Sequence, residues 1–455
     1  MTALLYALGV IIFVLAILVS IGLHEFGHLV PAKKFGGKVP QWFIGFGPTV
    51  WSRRIGETEY GVKAIPLGGY VKIVGMLPPG AEQLVEETEY DEDGTPIHRI
   101  RRSNTGMFTQ LISDARAAEW ELVRPEDEER LFYKLAWWKK VIVMAGGPTV
   151  NIAIAFFCFW GLFATFGNVE DYKARPVVES VVPCIVPADE DGRECTPAEL
   201  EENPTPAFAA GLQPGDRFVS VNGEPVRSWE HLSSFIRDNG DAVATFGIER
   251  DGRVIERRIA TEVTPRPVDA AEPEELTPVG FLGVAPEQSP IIVTGGPIYT
   301  LDKMGTMTVE TVKALGTLPI KVWDVGKAVV GLEERAADSP VSIVGGGRVA
   351  GEVAGHEAFD LGEKVAFLVS LIAGFNFFIG MFNFVPLLPL DGGHIAGALW
   401  EAVRRGFAKL FGRPDPGHVD VAKLLPVAYV VGAALLVMGV VLIVADLVVP
   451  LHLVS

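Results

Sequence analysis

The sequence predicts a multi-pass α-helical membrane protein of about four transmembrane helices, with a membrane-associated β-hairpin region and one extracytoplasmic α+β domain. Three observations carry that prediction. Apolar residues make up 49% of the 455 positions and gather in a few long blocks, and the mean hydropathy of +0.31 is high for a soluble chain. Between the second and third blocks lies a long stretch with no apolar run of membrane length. Inside the first block sits His24-Glu25-Phe26-Gly27-His28, an HExxH sequence whose ionisable groups are costly in hydrocarbon unless they face protein or water. The net charge of −17 argues against a nucleic-acid binder, which needs a basic surface to neutralise phosphates.

The first block runs from about Ala3 to Val30 and ends in Pro31-Ala32-Lys33-Lys34. A secretory signal would carry basic residues before its apolar core, whereas here they follow it, and cleavage would discard the HExxH. A retained membrane helix with a cytoplasmic C-terminal end is expected from the positive-inside rule. On that helix His24 and His28 lie one turn apart on one face, which suits two nitrogen ligands of one Zn²⁺, with Glu25 beside them as general base. A pair of packing histidines without metal is the bland alternative, and Glu25 together with the membrane setting weighs against it. Short apolar pieces broken by Gly and Pro follow from Gly36 to Met76, and they read as a β-hairpin at the membrane, with an ordinary soluble sheet as the alternative. From Pro78 to about Glu129 the chain is acidic, including Asp91-Glu92-Asp93-Gly94 and Glu126-Asp127-Glu128-Glu129, and reads as a solvated, partly mobile cytoplasmic loop.

Trp137-Trp138-Lys139-Lys140 anchors the start of the second block, Val141 to Phe166. Within it Gly146-Gly147-Pro148-Thr149-Val150-Asn151 puts small residues and an amide at membrane depth, and packing is favoured over catalysis for Asn151. In the stretch from Val169 to Leu361, Pro206 to Gly223 reads as a short helix, a Gly/Pro turn and a strand ending at Asn222-Gly223. This resembles the PDZ domain of bacterial proteases, with Trp229 to Ile236 as its next helix and a hairpin turning at Asp251-Gly252. His231 then falls on a helix surface. Cys184 and Cys195 lie in an insert from Pro183 to Asn203, where a disulfide is open to them if the loop faces an oxidising compartment, while Cys158 reads as a small buried hydrophobe. Gly345-Gly346-Gly347 lacks the spacing and βαβ context of a nucleotide loop and reads as a glycine-bearing connector.

The third block covers about Val365 to Leu390 and ends in Asp391-Gly392-Gly393-His394. Ala398 to Phe411 is a basic amphipathic helix suited to the cytoplasmic membrane surface, and Leu424 to Val449 is the fourth block. The expected organisation is therefore 1–34 first membrane helix, 35–134 cytoplasmic region with β-loop and acidic loop, 135–168 second helix and 169–265 PDZ-like domain. It continues with 266–361 extracytoplasmic connector, 362–397 third helix, 398–422 amphipathic segment, and 423–455 fourth helix and tail.

Two histidines and a water leave one position on a four-coordinate zinc. Asp391, beside a glycine pair at the far end of the third block, lies at the same cytoplasmic half of the bilayer as His24 and His28; a loop aspartate capping a turn is the alternative. His24-Glu25-Phe26-Gly27-His28, Gly45-Phe46-Gly47-Pro48, Ile65-Pro66-Leu67-Gly68-Gly69-Tyr70-Val71-Lys72, Gly147-Pro148-Thr149-Val150-Asn151 and Asn383 to His394 together resemble the site-2 protease family of intramembrane zinc metalloproteases, bacterial RseP type. The resemblance implies that His24, His28 and Asp391 bind one zinc and that Glu25 is the base. It further implies that Asn383 helps hold the substrate strand and that the loop at Gly68, Gly69 and Tyr70 engages substrate at the membrane. It implies an inner-membrane enzyme of regulated intramembrane proteolysis and stress response, whose substrates are single-span proteins such as anti-sigma factors or signal-peptide remnants already cut by an upstream protease. Pro389 stands one position later than the family's usual proline, and one PDZ core is present where RseP has two. A catalytically inactive scaffold presenting a PDZ domain to envelope partners is the alternative from another class, and a transporter is disfavoured because internal repeats are absent.

Overall fold

The structure, a computed structural model, describes residues 2–78, 88–90, 96–98, 107–120, 123, 125–187, 195–267 and 276–451. The acidic run Asp91 to Gly94 lies outside the described residues, as do residues 188–194 of the cysteine-bearing insert. In chain order the first part comprises α1 (Thr2–Lys34), β1 (Gln41–Ile55), β2 (Thr58–Lys72), β3 (Thr88–Tyr90), β4 (Pro96–His98), α2 (Met107–Trp120) and α3 (Trp137–Thr165). A second unit, Gly167–Thr294, follows. It contains β5 (Asn168–Val181), α4 (Pro197–Glu202), α5 (Pro206–Ala209), β6 (Arg217–Val221), β7 (Glu224–Pro225), α6 (Trp229–Asp238), β8 (Val243–Arg250), β9 (Arg253–Ala260), β10 (Glu262–Pro267), β11 (Leu276–Phe281) and β12 (Val284–Val293). The chain then returns to the first unit with α7 (Pro297–Val329), α8 (Ile343–Gly355), α9 (Leu361–Asn383), α10 (Asp391–Leu410) and α11 (Leu425–Val448).

Among the described residues, four helices are long and apolar enough to cross a membrane: Ala3–Lys34, Trp137–Thr165, Leu361–Asn383 and Val421–Val448. The chain is a membrane protein. Glycine lets α1 and α3 meet backbone to backbone. A Cβ on Gly27 would overlap Gly146 O, and one on Gly146 would overlap Gly27 O, so neither helix tolerates a side chain at the crossing. α9 packs on α3 in the same way, where a Cβ on Gly380 would sit 2.8 Å from Ile152 and 3.1 Å from Pro148 O.

β1 and β2 form a hairpin that folds over itself. Residues 41–44 partner both Gly69–Lys72 and Glu59–Val62, and Trp51–Ile55 close the other side against Thr58–Val62. The bend needs Gly45, at φ +87°, where a Cβ would lie 2.6 Å from Ile65 O. Aromatic side chains line the hairpin, with Tyr70 stacked on Phe43 at 5.6 Å and on Phe46 at 6.2 Å.

In the second unit the sheet order is β12-β5-β6-β8-β9, with β7 on β6, and β10 pairs β11 separately. Phe218, Phe246, Ile248, Leu232 and Leu282 fill its core. Asn222 and Asp251 adopt the left-handed backbone at the turns expected for them, α6 occupies the expected helix, and His231 is exposed. Cys184 and Cys195 are joined in a disulfide across a sequence separation of 11 residues.

Four expectations are corrected. Residues 266–361 are not one connector: 266–294 complete the second unit as β11 and β12, and α7 and α8 belong to the unit of the membrane helices. Their apolar residues recur at helical spacing rather than in one run of membrane length. Gly345 to Gly347 are not a connector but lie within α8, which packs on α1 so tightly that Gly9 faces Ala350 O and Gly346 faces Phe13. The amphipathic helix starts at Asp391, not Ala398, because the carboxylate occupies the first turn of α10, where the helix dipole favours it. The acidic segment is not simply solvated. Asp127 is buried against Lys38, Arg130 grips Glu57 at 2.8 and 2.9 Å, and Glu119 accepts from the Gly75 and Met76 amides at 2.9 and 3.0 Å.

Candidate metal centre

His24 and His28 share one face of α1, as the i, i+4 spacing requires, and that face is turned to the glycine side of α3. The turn after α9, which includes a cis Leu388–Pro389 peptide, delivers Asp391 to the same point at the start of α10. The result is a nearly equilateral set of donors. His24 Nε2 lies 3.3 Å from His28 Nε2, and Asp391 Oδ2 lies 3.3 Å from His24 Nε2 and 3.4 Å from His28 Nε2. Asp391 Oδ2 is buried without a hydrogen bond.

Zinc–ligand bonds of about 2.05 Å in tetrahedral geometry put neighbouring donors about 3.3 Å apart. The donor set therefore fits zinc in both chemistry and spacing, and among the described residues it is the one His/Cys/Asp/Glu group of this kind. The far nitrogens are already committed. His28 Nδ1–H donates to Val143 O at 2.8 Å, and His24 Nδ1–H to Asn151 Oδ1 at 3.1 Å. With Nδ1 protonated, each ring turns its Nε2 lone pair to the centre, which is how outer partners orient metal-binding imidazoles. Burial sharpens this: the His28 side chain is 5% exposed, His24 12% and Asp391 20%.

Gly147 forms the floor. A Cβ there would overlap His28 Nε2 and lie 2.7 Å from His24 Nε2. Asn151, one turn further along α3, does more than the packing expected of it: its amide oxygen holds a histidine of the centre. Gly147 and Asn151 stand four apart and share a helix face, but only the packing of α3 on α1 brings that face to His24.

Glu25 follows His24 on α1 and faces the hairpin. Gly69 is directly beside it: a Cβ on Gly69 would be 3.0 Å from Glu25 Cγ and 3.1 Å from Ile21. Gly68 has φ +88° and turns the strand past Phe46. The hairpin segment Gly69–Lys72 thus runs past Glu25 with its inner side paired to residues 41–44. Asn383 stands at the end of α9, its Nδ2 held by Ile379 O at 3.1 Å. The disulfide of Cys184 and Cys195 belongs to the second unit and has no part in the donor set.

Comparison with known proteins gives one answer throughout. The profile described as "Peptidase family M50" matches residues 12–413. The chain is 34% identical over 459 residues to "Zinc metalloprotease Rip1" of Mycobacterium tuberculosis, covering 99% of each chain. It is likewise 34% identical over 459 residues to the protein of that name from Mycobacterium bovis, again at 99% of each. For the Mycolicibacterium smegmatis protein of that name, the identity is 34% over 458 residues, 98% of this chain and 99% of the relative.

Proposed function

Since the chain belongs to peptidase family M50 and is an intramembrane zinc metalloprotease of the site-2 type, we propose that His24, His28 and Asp391 hold its zinc and Glu25 is its general base. The observation that carries this reading is the donor triangle of 3.3–3.4 Å with both Nδ1 atoms engaged elsewhere. Bound there, zinc supplies Lewis acidity toward a peptide carbonyl and lowers the pKa of water. Glu25 accepts the proton of the attacking water and returns it to the leaving amine. Gly69 of the hairpin packs against that side chain and leaves it room beside the donors. Asn151 and Val143 O hold the two imidazoles in one tautomer throughout.

The substrates are membrane proteins. A substrate helix hides its carbonyls in its own hydrogen bonds, so the scissile segment unwinds, and the freed groups need partners. The hairpin segment Gly68, Gly69 and Tyr70 supplies them by strand addition next to Glu25, with Asn383 holding the other side of the extended segment. The apolar exterior of the hairpin, with Phe46, Trp51 and Ile55 exposed, suits association with the bilayer.

The second unit is a PDZ-like domain. Its support is the α6 helix beside the end of β11 and the start of β12, which together border a cavity of about 350 Å³. The Cys184–Cys195 disulfide favours an oxidising, extracytoplasmic side for this unit, and Lys33 and Lys34 in the last turn of α1 favour a cytoplasmic side for the zinc, in the inner membrane. Anti-sigma factors or signal-peptide remnants, shortened by an upstream protease, are the substrates that fit this arrangement. An inactive scaffold has no observation in its favour, because all donors and the base are present.

The test is zinc content and cleavage of a single-span substrate by the full-length protein. Glu25→Gln keeps stoichiometric zinc and loses cleavage by roughly 10²–10⁴-fold, whereas His24→Ala and Asp391→Ala lose the metal. Wild-type cleavage by Glu25→Gln would sink the mechanism.

A further inference from the structure

We propose that the groove between α10 and residues 411–416 is a binding site for an anionic phospholipid of the surrounding bilayer. Arg404 and Arg413 take the phosphodiester, and Trp400, Phe407 and Phe411 take the acyl chain. The proposal depends on the bilayer setting and not on the roles assigned to the zinc site.

α10 is held to the protein on one side only. Glu401 is buried and accepts from Lys140 Nζ of α3 at 2.7 Å, and Ala398 is buried on the same side. The opposite side carries Trp400, Val403, Phe407, Leu410 and Phe411 at helical spacing, exposed at 58, 44, 58, 76 and 66%. Phe407 and Phe411 stack in parallel, with ring centres 6.2 Å apart. So much aromatic surface in water would be costly, at about 25 cal/mol for each Å².

The chain then doubles back to form a wall. Gly412 at φ +62° permits the reversal, Arg413 N–H donates to Ala408 O at 2.8 Å, and Arg404 Nη2 donates to Pro416 O at 3.0 Å. These bonds enclose a cavity of about 390 Å³ lined by Trp400, Val403, Arg404, Phe407, Phe411 and Arg413.

Charge selects the occupant. Arg405 is ion-paired with Glu401 at 3.4 Å and Asp415 at 3.3 Å. Arg404, Lys409 and Arg413 have no acidic partner among the described residues, so uncompensated cations border an aromatic cavity. A soluble phosphate would satisfy those cations and leave the aromatic walls wet. A neutral lipid would do the reverse. An anionic phospholipid satisfies both, and α10 begins at Asp391, at the depth of the donor set between membrane helices, so its apolar side adjoins the bilayer.

The full-length protein is purified in detergent, and retention of phosphatidylglycerol and phosphatidylcholine is compared by native mass spectrometry. Wild type retains phosphatidylglycerol over phosphatidylcholine by roughly ten-fold or more, and Arg404→Gln/Arg413→Gln drops to the phosphatidylcholine level, in line with about five-fold for each charge removed. Glycerol phosphate at equal concentration leaves the bound lipid in place. Zinc content and melting temperature report folding of the double variant. Independently of that variant, brominated phosphatidylglycerol quenches wild-type fluorescence more than brominated phosphatidylcholine, and Trp400→Phe removes the excess. Equal retention of the two lipids by wild type, an unchanged preference in the folded double variant, displacement by glycerol phosphate, or quenching unaffected by Trp400→Phe would each overturn the proposal.

Discussion

Asn151 and Gly147 do for the donor set what the histidines cannot do for themselves. Asn151 Oδ1 accepts from His24 Nδ1–H at 3.1 Å, fixing which nitrogen faces the centre, and Gly147 leaves the space in which the two Nε2 atoms converge. Loss of an outer partner of this kind typically costs 10–100-fold in metal affinity. Asn151→Ala is therefore expected to weaken zinc retention by about that factor in a chelator competition, while Asn151→Asp, which keeps an acceptor oxygen, retains most of it. Gly147→Ala places a methyl group on the Nε2 atoms and is expected to abolish zinc binding. Gly161→Ala, on the same helix where a Cβ meets nothing within 4 Å, is expected to bind zinc as wild type does. Equal zinc content in the two alanine variants would contradict the geometry. The HExxH was legible because its function depends on local spacing. The role of Asn151 was not, because 127 residues separate it from His24 and only helix packing brings them together.

At the scale of elements, ion pairs decide what the hydrophobic pattern leaves open. In the second unit Asp216 is 1% exposed at its side chain and is held by Arg250 through bonds of 2.7 Å to each oxygen, with the Gln213 amide at 2.9 Å. Burial alone would raise the Asp216 pKa, but the Arg250 guanidinium and the Gln213 N–H outweigh it and hold the carboxyl below its ordinary value. A depressed folded-state value means the contribution is complete above the unfolded value of about 3.9 and disappears as pH falls through the lower folded one. Asp216→Asn is expected to destabilise this unit by about 2–4 kcal/mol at neutral pH and progressively less in acid, read from hydrogen exchange of the β6 and β8 amides in the full chain. A pH-independent difference would rule this account out. The same rule explains the acidic segment before α3. Composition pointed to a solvated loop, yet Asp127, Glu119 and Arg130 tie its described parts to the hairpin and the end of α1. Composition counts charges and does not report their partners.

Across the unit of the membrane helices, one buried pair ties distant parts of the chain. Arg335 and Asp446 are 3% and 2% exposed and meet at 2.8 Å. Arg335 also donates to Pro340 O and Val449 O, while Asp446 accepts from the Ser342 and Gly345 amides at the start of α8. α8 in turn packs against α1, the helix that carries His24 and His28. Removing one member of such a pair leaves the other charge buried and costs about 3–5 kcal/mol. Asp446→Ala is expected to lower the melting temperature of the detergent-solubilised protein markedly without altering the zinc ligands. An unchanged melting temperature would show the pair to be dispensable.

The membrane character, the four apolar spans, the hairpin and the HExxH were determined by the sequence alone, because each rests on periodicity or composition within a single stretch. The partnership of Asp391 with the two histidines was anticipated from matched depth. Its 3.3–3.4 Å closure, however, depends on the glycine-mediated crossing of α1 and α3 and on the turn that starts α10. Only tertiary structure could assign α7 and α8 to the membrane-helix unit, place Asn151 on His24, and fold residues 411–416 back over an aromatic face. Each of these depends on contacts between residues far apart in the chain, where one backbone can approach another only through packing, and packing is a property of surfaces rather than of any one stretch.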